Sequence, residues 1–441
     1  MKKITQILLF VTVLTYGQQQ QFSMQEAIEF ALDNNRSVLN AKLDIDAAKQ
    51  KKWETTTMGL PQLNAKIDYQ NFIIQPISFI PKTLFGGPPG EYFEGAMNSK
   101  QNINASATLS QLVFNGSYLV GLESAKVYLK ISDNALIKTK KVIKEMVISA
   151  YGNVLMAEEG LTILNDNKDI LDKNIKDTKA LYDNGFVEEE SVEQLELTRA
   201  TLLNQINKTE QLKQTAYQML NFTLGQDINT PIELTDSLES LANENYDLAI
   251  TNAPFSLDNN VDYKIMLNQV EAKKLFVKLE KSKALPSVTT FLNFGYTGYG
   301  YSKSFDFLKK EQRWVDSALF GVSVNIPIFS SLKRVSRTRQ AKIALKQTER
   351  KLEETGQQLS LEYQNAKTNY NYAMQQYTIA KDNLALAARI EKKQRIKFKE
   401  GISSSFELST AQRQLYSMQQ NYLQSIVDLI NNKIKLEQII E

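Results

Sequence analysis

The sequence predicts a mainly α-helical chain with membrane β-strands, duplicated internally, and three observations carry that reading. The chain has 441 residues but only 9 Pro and 18 Gly, so it must hold long uninterrupted elements. Four short segments alternate apolar and polar residues with period two, the pattern of strands whose two faces differ chemically. Three landmarks recur in one order: GLPQLNAKIDY around Pro61 returns as ALPSVTTFLNF around Pro286, LSQLVFNGS near Phe114 as VNIPIFSS near Phe329, and LYDNGFVEEESVEQL around Gly185 as KFKEGISSSFELSTA around Gly401. Missing such a repeat would misassign the fold. Each half reads as helix, strand, loop, strand, very long helix, glycine turn and long helix.

Composition narrows the chemistry. With no His and no Cys, imidazole and thiol catalysis, disulfides and the usual zinc and haem ligand sets are excluded. Net charge is +3 with 23% charged residues spread along the chain, so no phosphate-tracking surface is indicated. No convergent set of Asp, Glu, Lys, Ser or Tyr suggests an enzyme, a cofactor or a metal site.

Residues 1–17 read as a secretory signal peptide. Lys2 and Lys3 precede an apolar run from Ile7 to Leu14, and small residues Thr15 and Gly17 come before the run Gln18 to Gln21. No Cys follows the apolar run, so lipoprotein processing is not available. Elsewhere no stretch approaches the roughly 20 apolar residues of a membrane-spanning helix. The mature chain is expected to be exported, with a first repeat at 18–224, an inter-repeat segment at 225–262 and a second repeat at 263–441.

Strands are expected at about 61–78, 101–114, 285–301 and 314–329. Leu63, Ala65, Ile67 and Tyr69 alternate with Asn64, Lys66, Asp68 and Gln70, and Ile103, Ala105, Ala107 and Leu109 with Asn104, Ser106, Thr108 and Ser110. Val288, Thr290, Leu292, Phe294 and Tyr296 oppose Ser287, Thr289, Asn293 and Thr297, with Phe291 breaking the polar face. Ala318, Phe320, Val322, Val324 and Ile326 alternate with Leu319, Gly321, Ser323 and Asn325. Segments of about 10 residues with one apolar side suit a transmembrane barrel, although a soluble sandwich has the same period. Four strands cannot close, and an open edge in lipid leaves backbone groups unsatisfied. A spanning barrel must therefore be shared between chains: two would give eight strands with a filled interior, three would give twelve with room for a lumen. The polar faces, Lys66 and Asp68 included, argue for the wet lumen.

The regions from about Ser117 to Asn184 and Ser330 to Glu400 contain no Pro. Leu122, Ala125, Leu129, Ser132 and Leu136 recur at spacings of three and four. So do Ala341, Leu345, Thr348, Leu352, Thr355 and Leu359, followed by Ala366, Tyr370, Ala373, Tyr377, Ala380, Leu384 and Ala387. At 1.5 Å per residue each helix would be roughly 100 Å long, and the heptad spacing implies coiled-coil packing. The return helices continue it with Val192, Leu195, Leu202 and Ile206, and with Leu408, Ala411, Leu415, Met418 and Tyr422. The alternating Ala and Tyr read as poor for a dry core and suit helices side by side in a wide ring. Gly185 and Gly401 supply the positive φ of a tight helix end, so both mark one physical end of the molecule. Glu188, Glu189, Glu190 and Glu193 surround the first turn and Glu407 follows the second. Repeated around a narrow opening, such acids would favour cations.

These residues resemble the TolC-like outer membrane efflux protein family, with LPxL before the first strand of the first half, a Phe closing the second strand, and the turns Tyr182 to Gly185 and Phe398 to Gly401. The resemblance covers essentially the whole mature chain and rests on the order of landmarks. It implies a homotrimer in the cell outer membrane, twelve strands in the barrel and a periplasmic α-helical tunnel. It further implies an exit duct for small molecules or proteins whose tip, at Tyr182, Gly185, Phe398 and Gly401, engages a periplasmic adaptor linked to an inner-membrane RND or ABC pump. Acidic side chains six and nine residues past the second glycine often narrow the tunnel in this family. Here Glu407 matches, Thr410 departs from the pattern, and Glu188, Glu189 and Glu190 form a second acidic cluster. The competing class is a periplasmic coiled-coil adaptor, which would carry one helical hairpin flanked by soluble β-domains rather than two copies separated by strand pairs.

Other motifs read blandly. GYTGYG at Gly295 to Gly300 ends a strand with no helix after it, so it does not cradle phosphate. Its tyrosines Tyr296, Tyr299 and Tyr301, with Trp314, suit an interfacial girdle. Lys333, Arg334, Arg337, Arg339 and Lys342 open a helix beside a membrane strand and can snorkel toward lipid head groups. GGPPGEYF at Gly86 to Phe93 reads as a long external loop. The 225–262 segment interrupts the heptads and is expected to pack with both chain ends.

Overall fold

The computed structural model describes residues 20–301, 305, 307–308 and 313–440. The expected signal peptide lies outside the described residues. The first half runs β1 (Gln20–Phe22), α1 (Met24–Asn34), α2 (Arg36–Thr57), β2 (Gln62–Asn71), β3 (Ser78–Pro81), β4 (Tyr92–Gly95), β5 (Gln101–Asn115), α3 (Gly116–Asp183) and α4 (Glu189–Leu224). After β6 (Ile232–Leu234) and α5 (Leu238–Asn245), the second half runs α6 (Val261–Ser282), β7 (Ser287–Gly300), β8 (Trp314–Asn325), α7 (Lys333–Lys399) and α8 (Ser405–Ile440). Counterparts agree in length: α2 and α6 have 22 residues each, α3 and α7 have 68 and 67, and α4 and α8 have 36 each. The chain forms two compact units, one holding the sheet (Ile45–Ile131 and Leu267–Lys351), the other helical, including Ser132–Met266.

In the sheet unit the long strands form one antiparallel sheet in the order β2-β5-β7-β8. Register makes its faces differ. Leu63, Leu109, Leu292 and Phe320 share one row, and Tyr69, Ile103, Gly298 and Trp314 another, so the apolar residues of four strands fall on one side. On the other, Lys66, Ser106, Gly295 and Ser317 align, Asn293 Nδ2 donates to Thr108 Oγ1 at 2.6 Å, and Lys66 pairs with Asp68 at 2.9 Å. Phe291 stands on this polar face opposite Gly321, where a Cβ would lie 2.5 Å from its ring. The ring covers a residue with no side chain of its own, a cross-strand fit that explains the break in the pattern.

The strands stop earlier than their alternation suggests. β2 ends at Asn71 rather than near 78, and β8 at Asn325 rather than 329. Pro76 and Pro327 lie in the lost stretches, and proline has no amide hydrogen to extend a ladder. The expected loop around Gly86 to Phe93 contains structure of its own: β3 and β4 pair antiparallel across a 3-10 turn at Lys82–Phe85. In the glycine-rich motif, a Cβ at Gly298 or Gly300 would stand 3.1 Å from the ring of Phe307, which is buried. These glycines make room for an aromatic ring that also neighbours Tyr69, Phe305 and Trp314.

The β8–α7 connection corrects one expectation. Arg334 does not reach outward: its guanidinium donates to the Pro327 carbonyl at 2.7 Å, the Ile328 carbonyl at 3.1 Å and Ser330 Oγ at 3.1 Å. It thereby holds a turn in which Ser331 (φ 46°) and Leu332 (φ 65°) take the left-handed conformation, costly for residues with a Cβ. Lys333, Arg337, Arg339 and Lys342 remain exposed.

The helical unit has one main hydrophobic core, built from α1, the middle of α3, the ends of α4 and α8, α5 and the middle of α7. Here a second expectation fails. Ala366, Tyr370, Ala373 and Tyr377 are all buried, so the Ala and Tyr run of α7 does line a dry core. The reason is the inter-repeat segment, which supplies polar partners. Tyr370, with no exposed surface, donates its hydroxyl hydrogen to the Asn245 carbonyl at 2.7 Å and accepts from the Asp247 amide at 2.8 Å. Tyr151 of α3 likewise places its hydroxyl 2.9 Å from the Phe22 carbonyl and 3.0 Å from Asp236 Oδ2. A buried tyrosine is stable when its ring is packed and its hydroxyl is satisfied. β1 pairs in parallel with β6, joining the described start of the chain to this segment. Gly225 ends α4 at φ +87°, where a Cβ would stand 2.5 Å from the Asn34 carbonyl oxygen and 2.8 Å from Asn35 Cα.

Candidate functional site: the helix-hairpin tips

Both hairpins turn in the same way. α3 ends in a bond from the Gly185 amide to the Tyr182 carbonyl at 2.8 Å and a longer-range one from Phe186 to Leu181 at 2.9 Å. α7 repeats it, Gly401 to Phe398 at 3.0 Å and Ile402 to Lys397 at 2.8 Å. This crossed pair satisfies carbonyls that a helix end leaves orphaned, and needs a left-handed residue where Gly185 (φ +76°) and Gly401 (φ +72°) stand. A Cβ at either would meet nothing within 4 Å, so both turns present open surface. Exposed Phe186 and Ile402 sit just beyond them, and Tyr182 is exposed as well, whereas Phe398 is buried.

Glu407 is tied to the start of α8. Its carboxylate accepts from Ser403 Oγ at 2.7 Å and from the Ser404 amide at 3.0 Å, while the Glu407 amide donates back to Ser404 Oγ at 3.3 Å. This is a reciprocal helix cap. The Ser403 hydroxyl first, then the Ser404 amide, hold the carboxyl below its ordinary range, so Glu407 stays charged. Thr410, one turn on, accepts from Arg413 at 3.3 Å. At the equivalent start of α4, Glu188 takes the cap position without a side-chain bond, and Glu189 and Glu190 lie in the first turn, where the helix dipole favours anions. Glu190 accepts from Gln194 at 2.9 Å.

Polar ties fasten the two hairpins side by side. Thr198 and Ser409 hydroxyls are 2.8 Å apart, Ser405 Oγ donates to Gln194 Oε1 at 3.2 Å, Asn167 donates to Gln419 at 2.8 Å, and Lys399 pairs with Asp177 at 4.0 Å. The sequence reading missed these residues, because a Ser or Gln on a heptad seam carries no signal until its partner helix is known.

It also missed Glu391. This residue stands ten positions before Gly401, where Ile175 stands before Gly185 and packs on the Leu164, Leu171 and Leu195 cluster. Glu391 is 6% exposed. Burial raises its pKa, opposed by Arg395 at 3.7 Å. Gln412 of α8, also buried, has neither side-chain amide atom hydrogen-bonded. Asn174 Nδ2 of α3 is likewise buried without a partner, so both hairpins carry an unsatisfied amide, and what distinguishes the second is a buried carboxyl where the first has isoleucine. Between α4 and α8 runs a groove of about 550 Å³ lined by Leu197, Leu202, Arg413, Tyr416 and Gln420.

Comparison with known proteins agrees with this architecture. Residues 256–440 match the family described as outer membrane efflux protein. The chain is 19% identical over 418 residues to outer membrane protein TolC of Vibrio cholerae, covering 95% of this chain and 90% of that one. Among solved structures it is similar to CusC, with a TM-score of 0.74 at 18% identity, covering 95% and 91% of the two chains. It is also similar to VceC from Vibrio cholerae, with a TM-score of 0.71 at 15% identity and 95% coverage of both. The fold is that of these outer membrane channels.

Proposed function

We propose that this chain, which carries the outer membrane efflux protein domain in its second half, is the outer membrane exit duct of a tripartite export system. The observation that carries this reading is the open sheet. β2 and β8 are its two edges, each with a face of exposed apolar residues such as Leu63, Ile67, Phe320 and Val322. Neither edge is tolerable in lipid unless another chain pairs with it. Three copies, each contributing repeats 18–224 and 263–441, would close twelve strands around the polar face and set six helical hairpins in a periplasmic ring.

In that assembly the tips at Tyr182, Gly185, Phe398 and Gly401 face the periplasmic adaptor, and an inner-membrane pump of the RND or ABC class drives transport. The open surface at both glycines and the groove between α4 and α8 suit docking by an adaptor's helices. Glu407 and Thr410 then line the constriction, with Glu188, Glu189 and Glu190 as the other acidic set. Passage requires the second hairpin to move. The buried carboxyl of Glu391, at the place held by Ile175 in the first hairpin, supports assigning that movement to the second. Light scattering of detergent-extracted protein tests the reading: a trimer is expected, and a stable monomer would overturn the shared barrel. Gly401→Trp should then abolish export while the trimer and its membrane insertion survive.

A further inference from the structure

The segment from Phe72 to Ser99 leaves the sheet at the end of β2 and returns at the start of β5, and it is unusually apolar for a loop. Ile73, Ile74, Phe79, Leu84, Phe85 and Phe93 are between 51% and 91% exposed. Only Lys82, Glu91 and Glu94 carry charge, and Lys82 and Glu91 neutralise each other at 2.6 Å. The segment nonetheless has a defined form. Ser78 pairs with Gly95 and Pro81 with Tyr92, the Phe85 and Phe93 rings meet edge to face at 5.9 Å, and Lys82 Nζ lies 5.5 Å from the Phe93 ring. A lone two-stranded ribbon is marginal in water, and an exposed apolar patch of this kind marks a surface that is covered in use.

We infer that this hairpin packs against the hairpin of the neighbouring copy of the same chain, three of them forming a collar at the external end of the barrel. The inference rests on the trimeric reading above. Its argument is continuity: the segment springs from β2, whose outer edge is unpaired and is the seam with the next copy. Charge agrees, because the hairpin carries almost none to repel its own copy. Its one lysine is already paired and offers nothing to anionic lipid head groups.

The test uses full-length protein in its outer membrane, with p-benzoylphenylalanine in place of Phe85 or Phe93. Irradiation should yield a species of twice the chain mass whose joined peptides both come from this chain. Cross-links to lipid, to a different protein, or to nothing, in a sample that light scattering shows to be trimeric, overturn the collar and leave the trimer standing. A monomeric sample overturns both. In a second variant a short Gly-Ser linker replaces Ser78 to Gly95. Trimers should still assemble but dissociate at a lower temperature in detergent, and an unchanged dissociation temperature counts against the collar.

Discussion

Gly225 and Gly401 each end a long helix with nearly the same backbone, φ +87° and +72°, yet alanine at the two positions should have very different costs. At Gly401 the new methyl meets nothing within 4 Å, so only the left-handed conformation is penalised, by about 1–2 kcal/mol. At Gly225 the same penalty applies, and the Cβ would also lie 2.5 Å from the Asn34 carbonyl oxygen and 2.8 Å from Asn35 Cα. Ordinary carbon–oxygen contacts begin near ~3.3 Å. The chain around Asn34 must therefore retreat by most of an ångström, and the obstacle is backbone, which cannot swing aside. That retreat strains the buried bond from Asn35 Nδ2 to the Thr223 carbonyl, now 2.7 Å, whose loss costs about 1–3 kcal/mol more. Gly225→Ala should thus destabilise by roughly 2–5 kcal/mol and Gly401→Ala by no more than about 2, with the loss at Gly225 the larger. Thermal unfolding of the purified protein followed by helical circular dichroism measures both. Equal losses, or a larger loss at Gly401, would refute the packing argument.

Three further outcomes are expected. Tyr370→Phe leaves the Asn245 carbonyl and the Asp247 amide without their partner and should cost about 1–3 kcal/mol in chemical unfolding, with the fold retained. Glu391 has a raised pKa in the folded chain, so its ionisation opposes folding as pH climbs past the unfolded value. Glu391→Gln should therefore raise the melting temperature at pH 7, and the gain should shrink as the pH is lowered toward 4; a gain independent of pH would contradict the burial argument. Glu407→Gln should lower cation preference in planar-bilayer recordings more than neutralising Glu188, Glu189 and Glu190 together, and the reverse order would assign the narrow ring to the first turn.

The parts legible in the sequence were those with a local period. The buried face of α7 was readable from Ala341 to Ala387, and the sheet's two faces from the alternation around Ile67 and Leu292, because each pattern repeats within a single element. What stayed hidden depended on partners distant along the chain. Tyr370 looked unfit for a dry core until the end of α5 and the segment after it supplied partners for its hydroxyl, and Tyr377 until Tyr246 and Tyr422 supplied rings for it to pack on. Arg334 looked like a surface cation, though its fork closes the turn that carries Ser331 and Leu332. At the tips the glycines announced the turns, and two further signals went unread: the Ser404 to Glu407 spacing of a reciprocal cap, and the common offset of ten residues that sets Glu391 against Ile175.

That last exchange has a meaning for symmetry. A ring of six hairpins made from six identical chains would have to move all of them alike, and one substitution would fall at every position. Because each chain supplies two copies, a change such as Glu391 for its isoleucine counterpart appears at alternate places only. In the trimer proposed here, three hairpins with a buried carboxyl at that place would then alternate with three that carry isoleucine, so that one set can respond to a proton or a partner without the other.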